Sequence, residues 1–256
     1  MSGHPILEVT EVSKQFIAVK DSEPVLALDR VSFSVQPGEF FVILGPSGSG
    51  KTTILNLVAG FEQPTSGSAK VNGKPVTAPS WQRAVVFQEH GLFPWLTAAE
   101  NIEFGLRMKK VEPAKRREIV REYIQIVGLA GFENKFPKEL SGGMKQRVGI
   151  ARALAVDSEI VIMDEPLGSL DAQTRTEMQD ELLRILQHEK KKTVLLVTHS
   201  IEEALKLADV ILVLTARPGR AKKTFRLEQP RPREILRDPA IVAVNVELHE
   251  LLHKAR

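Results

Sequence analysis

Four short runs along the chain are apolar at every position: Phe40–Leu44 (FFVIL), Ile160–Met163 (IVIM), Val194–Val197 (VLLV) and Val210–Leu214 (VILVL). Unbroken aliphatic runs of strand length suit a parallel sheet covered on both faces. Between them the period changes. From Asp171 to Glu189 the apolar residues Met178, Leu182, Leu183, Ile185 and Leu186 make a helical stripe among charges, and Ser200–Leu207 predicts a shorter helix. Strands alternating with helices predict an α/β core.

Two stretches read differently. Ile6–Val12 and Val31–Val35 alternate apolar with polar, as half-exposed antiparallel strands do, and Ala69–Lys74 contains the hairpin-favouring pair Asn72–Gly73. A small antiparallel sheet beside the parallel core is expected. From Thr97 to Ala155 the pattern is mostly helical. Pro113 opens one helix, Gly128 closes it, and Ile119, Tyr123, Ile126 and Val127 give it an apolar face. This predicts a helical insert at about 94–156 within a domain over 1–227. The remaining tail, 228–256, starts with EQPRPRE, which its prolines should keep extended, and then turns helix-like.

Composition narrows the class. The 256 residues are 43% hydrophobic, enough for a packed core, and carry 35 basic against 32 acidic side chains in mixed order. Such a weak, interspersed basic bias does not point to nucleic acid. The absence of cysteine removes disulfides and thiolate zinc sites. The N-terminus does not read as a signal peptide, and no apolar run approaches the ~20 residues that cross a bilayer. If the protein works on a membrane, another chain supplies the membrane part.

Three motifs carry chemistry. The first, GPSGSGKTT, comprises Gly45, Pro46, Ser47, Gly48, Ser49, Gly50, Lys51, Thr52 and Thr53, placed between an expected strand and an expected helix. Glycines at this spacing let backbone N–H groups wrap phosphates at a helix N-terminus, Lys51 reaches the outer phosphates, and the Thr52 hydroxyl suits Mg²⁺. In the second, IVIMDE, Asp164 and Glu165 end a buried strand, where ligands bind in open α/β sheets. One acid there can hold Mg²⁺ and the next can take a proton from water. The third, LSGGMKQR, offers the Ser141 hydroxyl and the unencumbered amides of Gly142 and Gly143 where a helix begins. An N-capped helix and a second anion site are the two readings, and both can hold at once.

In this order the three motifs resemble the ATP-binding cassette (ABC) ATPases, over about Ile6 to Leu227. The resemblance implies an α/β P-loop NTPase core with a small antiparallel β-subdomain and an inserted helical subdomain. It also implies ATP and Mg²⁺ as ligands, and a head-to-tail homodimer. In that dimer Ser141, Gly142, Gly143 and Gln146 of one subunit cap the nucleotide bound by the other. Further residues fall at family positions. Gln88 matches the glutamine that touches Mg²⁺ and the attacking water, and with Thr52 and Asp164 completes the implied metal set. Asp171 in GSLD matches a loop that crosses the dimer interface and is equally suited to cap a helix. His199 matches the histidine that contacts the γ-phosphate. With Glu165, Lys51 and Gln88 it makes up the implied catalytic set. Phe16 stands near the place of an adenine-stacking aromatic, where Tyr is more usual, and the IAVKDSEP segment lengthens the loop behind it. An adenine platform and a core side chain are both open for Phe16. For Trp95, in Phe93–Pro94–Trp95, the alternatives are a contact with a membrane partner and a core position.

More finely, EHGLFPWLTAAENI, EPLGSLDAQTR and TARPGR resemble the nitrate/sulfonate/taurine importer group. This implies a peripheral subunit on the cytoplasmic face of the inner membrane, driving integral permease subunits and serving a solute-binding protein indirectly, with no nucleic-acid partner. An exporter or lipid-handling cassette is the alternative within transport. A DNA-associated ABC ATPase fits less well, because the chain has neither heptad repeats nor cysteines.

Overall fold

A computed structural model describes residues 4–16, 24–88, 91–168, 170–188, 192–231 and 233–253. In chain order the elements are β1 (Leu7–Phe16), β2 (Val25–Val35), β3 (Phe40–Leu44), α1 (Lys51–Ala59), β4 (Ser66–Val71), β5 (Lys74–Pro75) and β6 (Arg83–Val86). Then come α2 (Ala98–Met108), α3 (Pro113–Ile126), a 3-10 turn (Pro137–Glu139), α4 (Gly142–Ala155), β7 (Ile160–Asp164) and α5 (Ala172–His188). The chain closes with β8 (Thr193–Thr198), α6 (Ile201–Leu207), β9 (Val210–Leu214), β10 (Ala221–Arg226) and α7 (Pro239–His253). Two compact units form, one from residues 1–79 with 193–256, the other from 80–192.

In the first unit β3 lies parallel between β8 and β9, in the register Leu44↔Thr198 and Leu44↔Val213, and β10 adds antiparallel to β9. All five residues of β3 are at most 2% exposed, so the apolar run is buried on both faces. The alternating segments pair as expected: β2, β1, β4 and β5 form an antiparallel sheet, with Asn72–Gly73 turning β4 into β5. Leu7, Val9 and Val12 of β1 point inward. Phe33 of β2 stacks on Phe41 of β3 at 5.2 Å between ring centroids, joining the two sheets. The tail folds onto this unit. The buried Arg233 guanidinium donates to the carbonyls of Leu205 (3.2 Å) and Ala208 (2.6 Å), and α7 packs on α6.

In the second unit β6 pairs parallel with β7, and α2, α3 and α4 pack on one another. Thr97 and Glu100 form a reciprocal capping box at the start of α2, and Pro113 opens α3 as the sequence requires. The Tyr123 hydroxyl donates to the Leu154 carbonyl at 3.2 Å, fixing α3 to α4. This unit runs from 80 to 192 and so contains β6, β7 and α5 as well as the helices between 94 and 156. No described helix is long and apolar enough to cross a membrane.

Candidate functional site

The candidate residues divide between the units: Phe16, the Gly45–Thr53 loop and His199 lie in the first, and Gln88, Ser141–Gln146, Asp164, Glu165 and Asp171 in the second.

In the first unit, the apolar β3 strand ends and the chain must reverse into α1 within six residues. Gly48 (φ 78°) and Gly50 (φ 83°) take the left-handed conformation that this turn requires. A methyl carbon built on Gly50 would stand 2.5 Å from Leu28 Cδ2, so steric space as well as backbone conformation demands glycine there. The helix starts with no side chain capping its first amides. The positive end of the helix dipole therefore faces the loop without a side-chain cap, as suits an anion. Lys51 is 6% exposed, and its ammonium donates to the carbonyls of Gly45 (2.9 Å) and Pro46 (3.1 Å) inside the same loop. The Ser49 hydroxyl is fully buried and finds no hydrogen-bond partner among the described residues. An unspent donor, an uncapped helix end and an ammonium resting on neutral carbonyls together fit a polyphosphate.

The end of β8 adjoins this loop, where the Gly45 N–H donates to the Thr198 carbonyl at 3.3 Å. His199 is the next residue, and it also lines a groove of about 890 Å³ with Ile201, Lys206, Leu236 and His249. Phe16, at the end of β1, is 38% exposed and so is not a core side chain, and the Lys14 ammonium stands 4.9 Å from its ring centroid. Of the IAVKDSEP segment behind Phe16, residues 17–23 lie outside the described residues.

One support of the phosphate loop has no sequence motif of its own. Gly219 accepts from the Asp29 N–H (3.0 Å) and donates to the Ala27 carbonyl (2.9 Å), which holds the 215–220 turn against β2. A methyl carbon on Gly219 would stand 2.1 Å from the Ser49 carbonyl oxygen. Only glycine lets this turn back the phosphate loop so closely. The phrase TARPGR marks the turn in the sequence, but nothing local reveals what it touches.

In the second unit, Asp164 ends β7, and Glu165 follows at φ 40°, an unusual backbone for a residue with a side chain. The Gly168 N–H donates to the Glu165 carbonyl at 2.9 Å, closing a tight turn. A methyl carbon on Gly168 would lie 3.4 Å from Gln88 Nε2 and 3.6 Å from Glu165 Cβ, so the turn brings Gln88 and Glu165 to the same place. Arg175 ties the following segment down by donating to the carbonyls of Leu167 (3.3 Å) and Leu170 (2.9 Å). Asp171 caps α5 by accepting from the Thr174 N–H at 3.0 Å. Hydrogen bonds from Thr174, its hydroxyl foremost and then its amide, hold the Asp171 carboxyl below the usual aspartate range.

Ser141 caps α4, its hydroxyl accepting from the Met144 N–H at 3.3 Å. Ser141 and Gly142 are exposed while Gly143 is buried, so the open part of the motif is its first turn. Gln146 is fully buried one turn into α4, and neither atom of its side-chain amide finds a hydrogen-bond partner among the described residues. Trp95 is 70% exposed, which excludes the core alternative. The loop that presents it is held by the buried side chain of Asn101, which accepts from the Phe93 N–H (2.9 Å) and donates to the carbonyls of Phe93 (3.2 Å), Leu96 (3.0 Å) and Thr97 (2.9 Å). The sequence gives no signal for this role, because a lone Asn in a helix is usually on the surface.

The family model described as ABC transporter matches residues 28–168, more than half of the chain. The chain belongs to the ABC transporter family. It is an ATP-binding cassette, and its enzymatic activity is ATP hydrolysis. The cassette is 48% identical over 232 residues to the taurine import ATP-binding protein TauB of Pelagibacter ubique, covering 88% of this chain and 87% of the relative. It is 40% identical over 254 residues to the nitrate import ATP-binding protein NrtD of Synechocystis sp., covering 96% and 94%. Among solved structures it is similar to the cassette MJ0796 in a dimeric post-hydrolysis state bound to ADP and Pi, with TM-score 0.74 and 31% identity over 88% of this chain and all of the other. The cassette therefore shares fold and family with a protein that has been seen holding both products of ATP hydrolysis.

Proposed function

We propose that this cassette works as a homodimer that powers an importer of a small anion such as a sulfonate, taurine or nitrate. In this reading it is bound peripherally at the cytoplasmic face of the membrane, to permease subunits that a solute-binding protein supplies. One observation carries the dimeric part. The chain carries two elements of anion-binding chemistry, the phosphate loop at the start of α1 and the exposed Ser141–Gly142 turn at the start of α4. A single triphosphate needs only one phosphate loop, so the second end serves the nucleotide of a partner copy. Relatives named as import ATP-binding proteins for taurine and nitrate, similar over nearly the whole chain, support the solute class.

The residue roles follow from charge and reach. The Lys51 ammonium exchanges neutral carbonyls for the outer phosphates. His199 contacts the γ-phosphate, and Glu165 orients an attacking water and accepts its proton. Ser141 and Gly142 place donors on the γ-phosphate bound by the partner copy, and Asp171 contributes at the same interface. Phe16 offers its exposed ring to adenine. Thr52, Asp164 and Gln88 each offer a hard oxygen donor of the kind that suits Mg²⁺. Mg²⁺ bound with the nucleotide would supply positive charge to the triphosphate. Among the described residues no three His, Asp or Glu side chains gather into a metal cluster, and Mg²⁺ of this kind needs none.

The test is reconstitution with the permease that copurifies, in vesicles. A solute-binding protein loaded with taurine, another sulfonate or nitrate is expected to raise the ATPase rate several-fold over the unloaded protein. A rate that responds to none of these, or a copurifying partner with exporter activity, overturns the solute assignment.

A further inference from the structure

The loop that carries His199 is closed by a ring of three hydrogen bonds. The Thr198 hydroxyl donates to the Glu203 carboxylate. The Ser200 N–H donates to Thr198 Oγ1 at 3.0 Å, and the Glu203 N–H donates to Ser200 Oγ at 3.2 Å. Glu203 is 3% exposed.

Ser200 and Glu203 stand at the N-cap and the third position of α6, the spacing of a capping box. In a simple capping box the glutamate accepts from the N-cap N–H and remains near solvent. Here that N–H goes to the Thr198 hydroxyl oxygen, and the carboxylate is drawn inward to the hydroxyl proton. Thr198 is inserted into the box, and a carboxylate is buried to hold it. Burying a carboxylate is costly, and an exposed box would start the helix equally well. The diversion fixes both neighbours of one residue, His199. Thr198 also reaches the phosphate loop, because its carbonyl accepts from the Gly45 N–H at 3.3 Å. One residue thus ties three things together: the entrance of the triphosphate loop through its carbonyl, α6 through its hydroxyl, and His199 through its peptide bond.

We propose that Glu203 and Thr198 are positioning residues for hydrolysis, holding His199 at a fixed height over the terminal phosphate. The proposal rests on the reading of His199 as the γ-phosphate contact. In this reading both act through His199 and not on the nucleotide itself. Their effect falls on the chemical step rather than on binding, because ATP affinity is set largely by the phosphate loop.

The test uses the purified full-length chain with ATP and Mg²⁺, measuring kcat, KM, ATP affinity and melting temperature. Thr198→Val, which keeps the shape and removes the hydroxyl, is expected to lower kcat about tenfold to a hundredfold, the scale of a misplaced catalytic group, with KM and ATP affinity within about twofold. Thr198→Ser, which restores the hydroxyl, recovers most of the rate. Glu203→Gln, whose carbonyl still accepts, loses less than Glu203→Ala. Thr198→Val combined with Glu203→Ala is no slower than the slower single variant, because both break one ring. Multiplying effects, or a fall in rate that tracks only ATP affinity or melting temperature, would reduce the ring to an ordinary helix start and overturn the proposal. His199→Ala separates the two layers. If it is inactive while Thr198→Val runs at full rate, the ring proposal fails alone. If His199→Ala itself runs at full rate, the reading of His199 fails and the proposal with it.

Discussion

The Lys51 ammonium lies 2.9 Å from the carbonyl oxygen of Gly45, a partner within its own loop. The loop thus stores its one buried cation on a neutral acceptor, ready to exchange it for a charged one. Lys51→Met keeps the buried stem and removes the charge. It is expected to lower the ATPase rate by about a hundredfold or more, the scale for loss of one preorganised charged donor. Melting temperature should barely move. Steady-state hydrolysis alongside thermal unfolding checks both.

Gly219 stands where a side chain would run into the Ser49 carbonyl. Gly219→Ala must push the 215–220 turn off the phosphate loop, at a cost of about 1–3 kcal/mol for overpacking. The predicted result is a lower unfolding midpoint together with several-fold weaker ATP binding, although residue 219 lies outside the motifs expected to contact nucleotide. Denaturant unfolding and nucleotide titration on the same preparation check this pair of effects.

Asn101 spends its whole side chain on the 93–97 loop, fully buried. Asn101→Ala leaves buried backbone groups unpaired and opens a small void. A loss of about 2–4 kcal/mol is expected. The loop carrying Trp95 should loosen at the same time. Trp81 and Trp95 are the only tryptophans and both are exposed, so a change in quenching measured in a Trp81→Phe background reports it.

The Asp171 cap sets a pH dependence. Thr174 holds its carboxyl below the ordinary aspartate range in the folded chain. A depressed folded value means that the cap contributes its full stability above the unfolded pKa and loses it as pH falls through the lower folded value. The difference in melting temperature between the protein and Asp171→Ala should therefore be constant near neutral pH and shrink in acid. A difference that grows in acid would contradict the hydrogen bonds seen here.

Much of this was legible before any coordinates. Runs such as Phe40–Leu44 and Val210–Leu214 are apolar throughout because both faces are covered, and Pro113 and Asn72–Gly73 act through local backbone preference alone. The 221–226 strand was not legible. AKKTFR is an edge strand that buries only Phe225, so it carries no apolar pattern. The motif residues could be named from their spacing, but not what supports them. Gly219 under Ser49 works through tertiary approach, which leaves no local trace, and the partners of Asn101 and Glu203, though near in sequence, depend on which way a side chain turns. Nor does spacing show that Gln146 is buried, since the depth of a side chain in α4 is decided by packing.

The central claim is that one chain does not own a complete catalytic centre and that ATP assembles two copies. Glu165→Gln keeps the shape of the site and removes the base, so the assembled state should persist once formed. With ATP and Mg²⁺, size-exclusion chromatography with light scattering is expected to show Glu165→Gln at twice the mass of the chain, reverting to a monomer with ADP. A variant that binds ATP tightly and still elutes as a monomer would contradict the account.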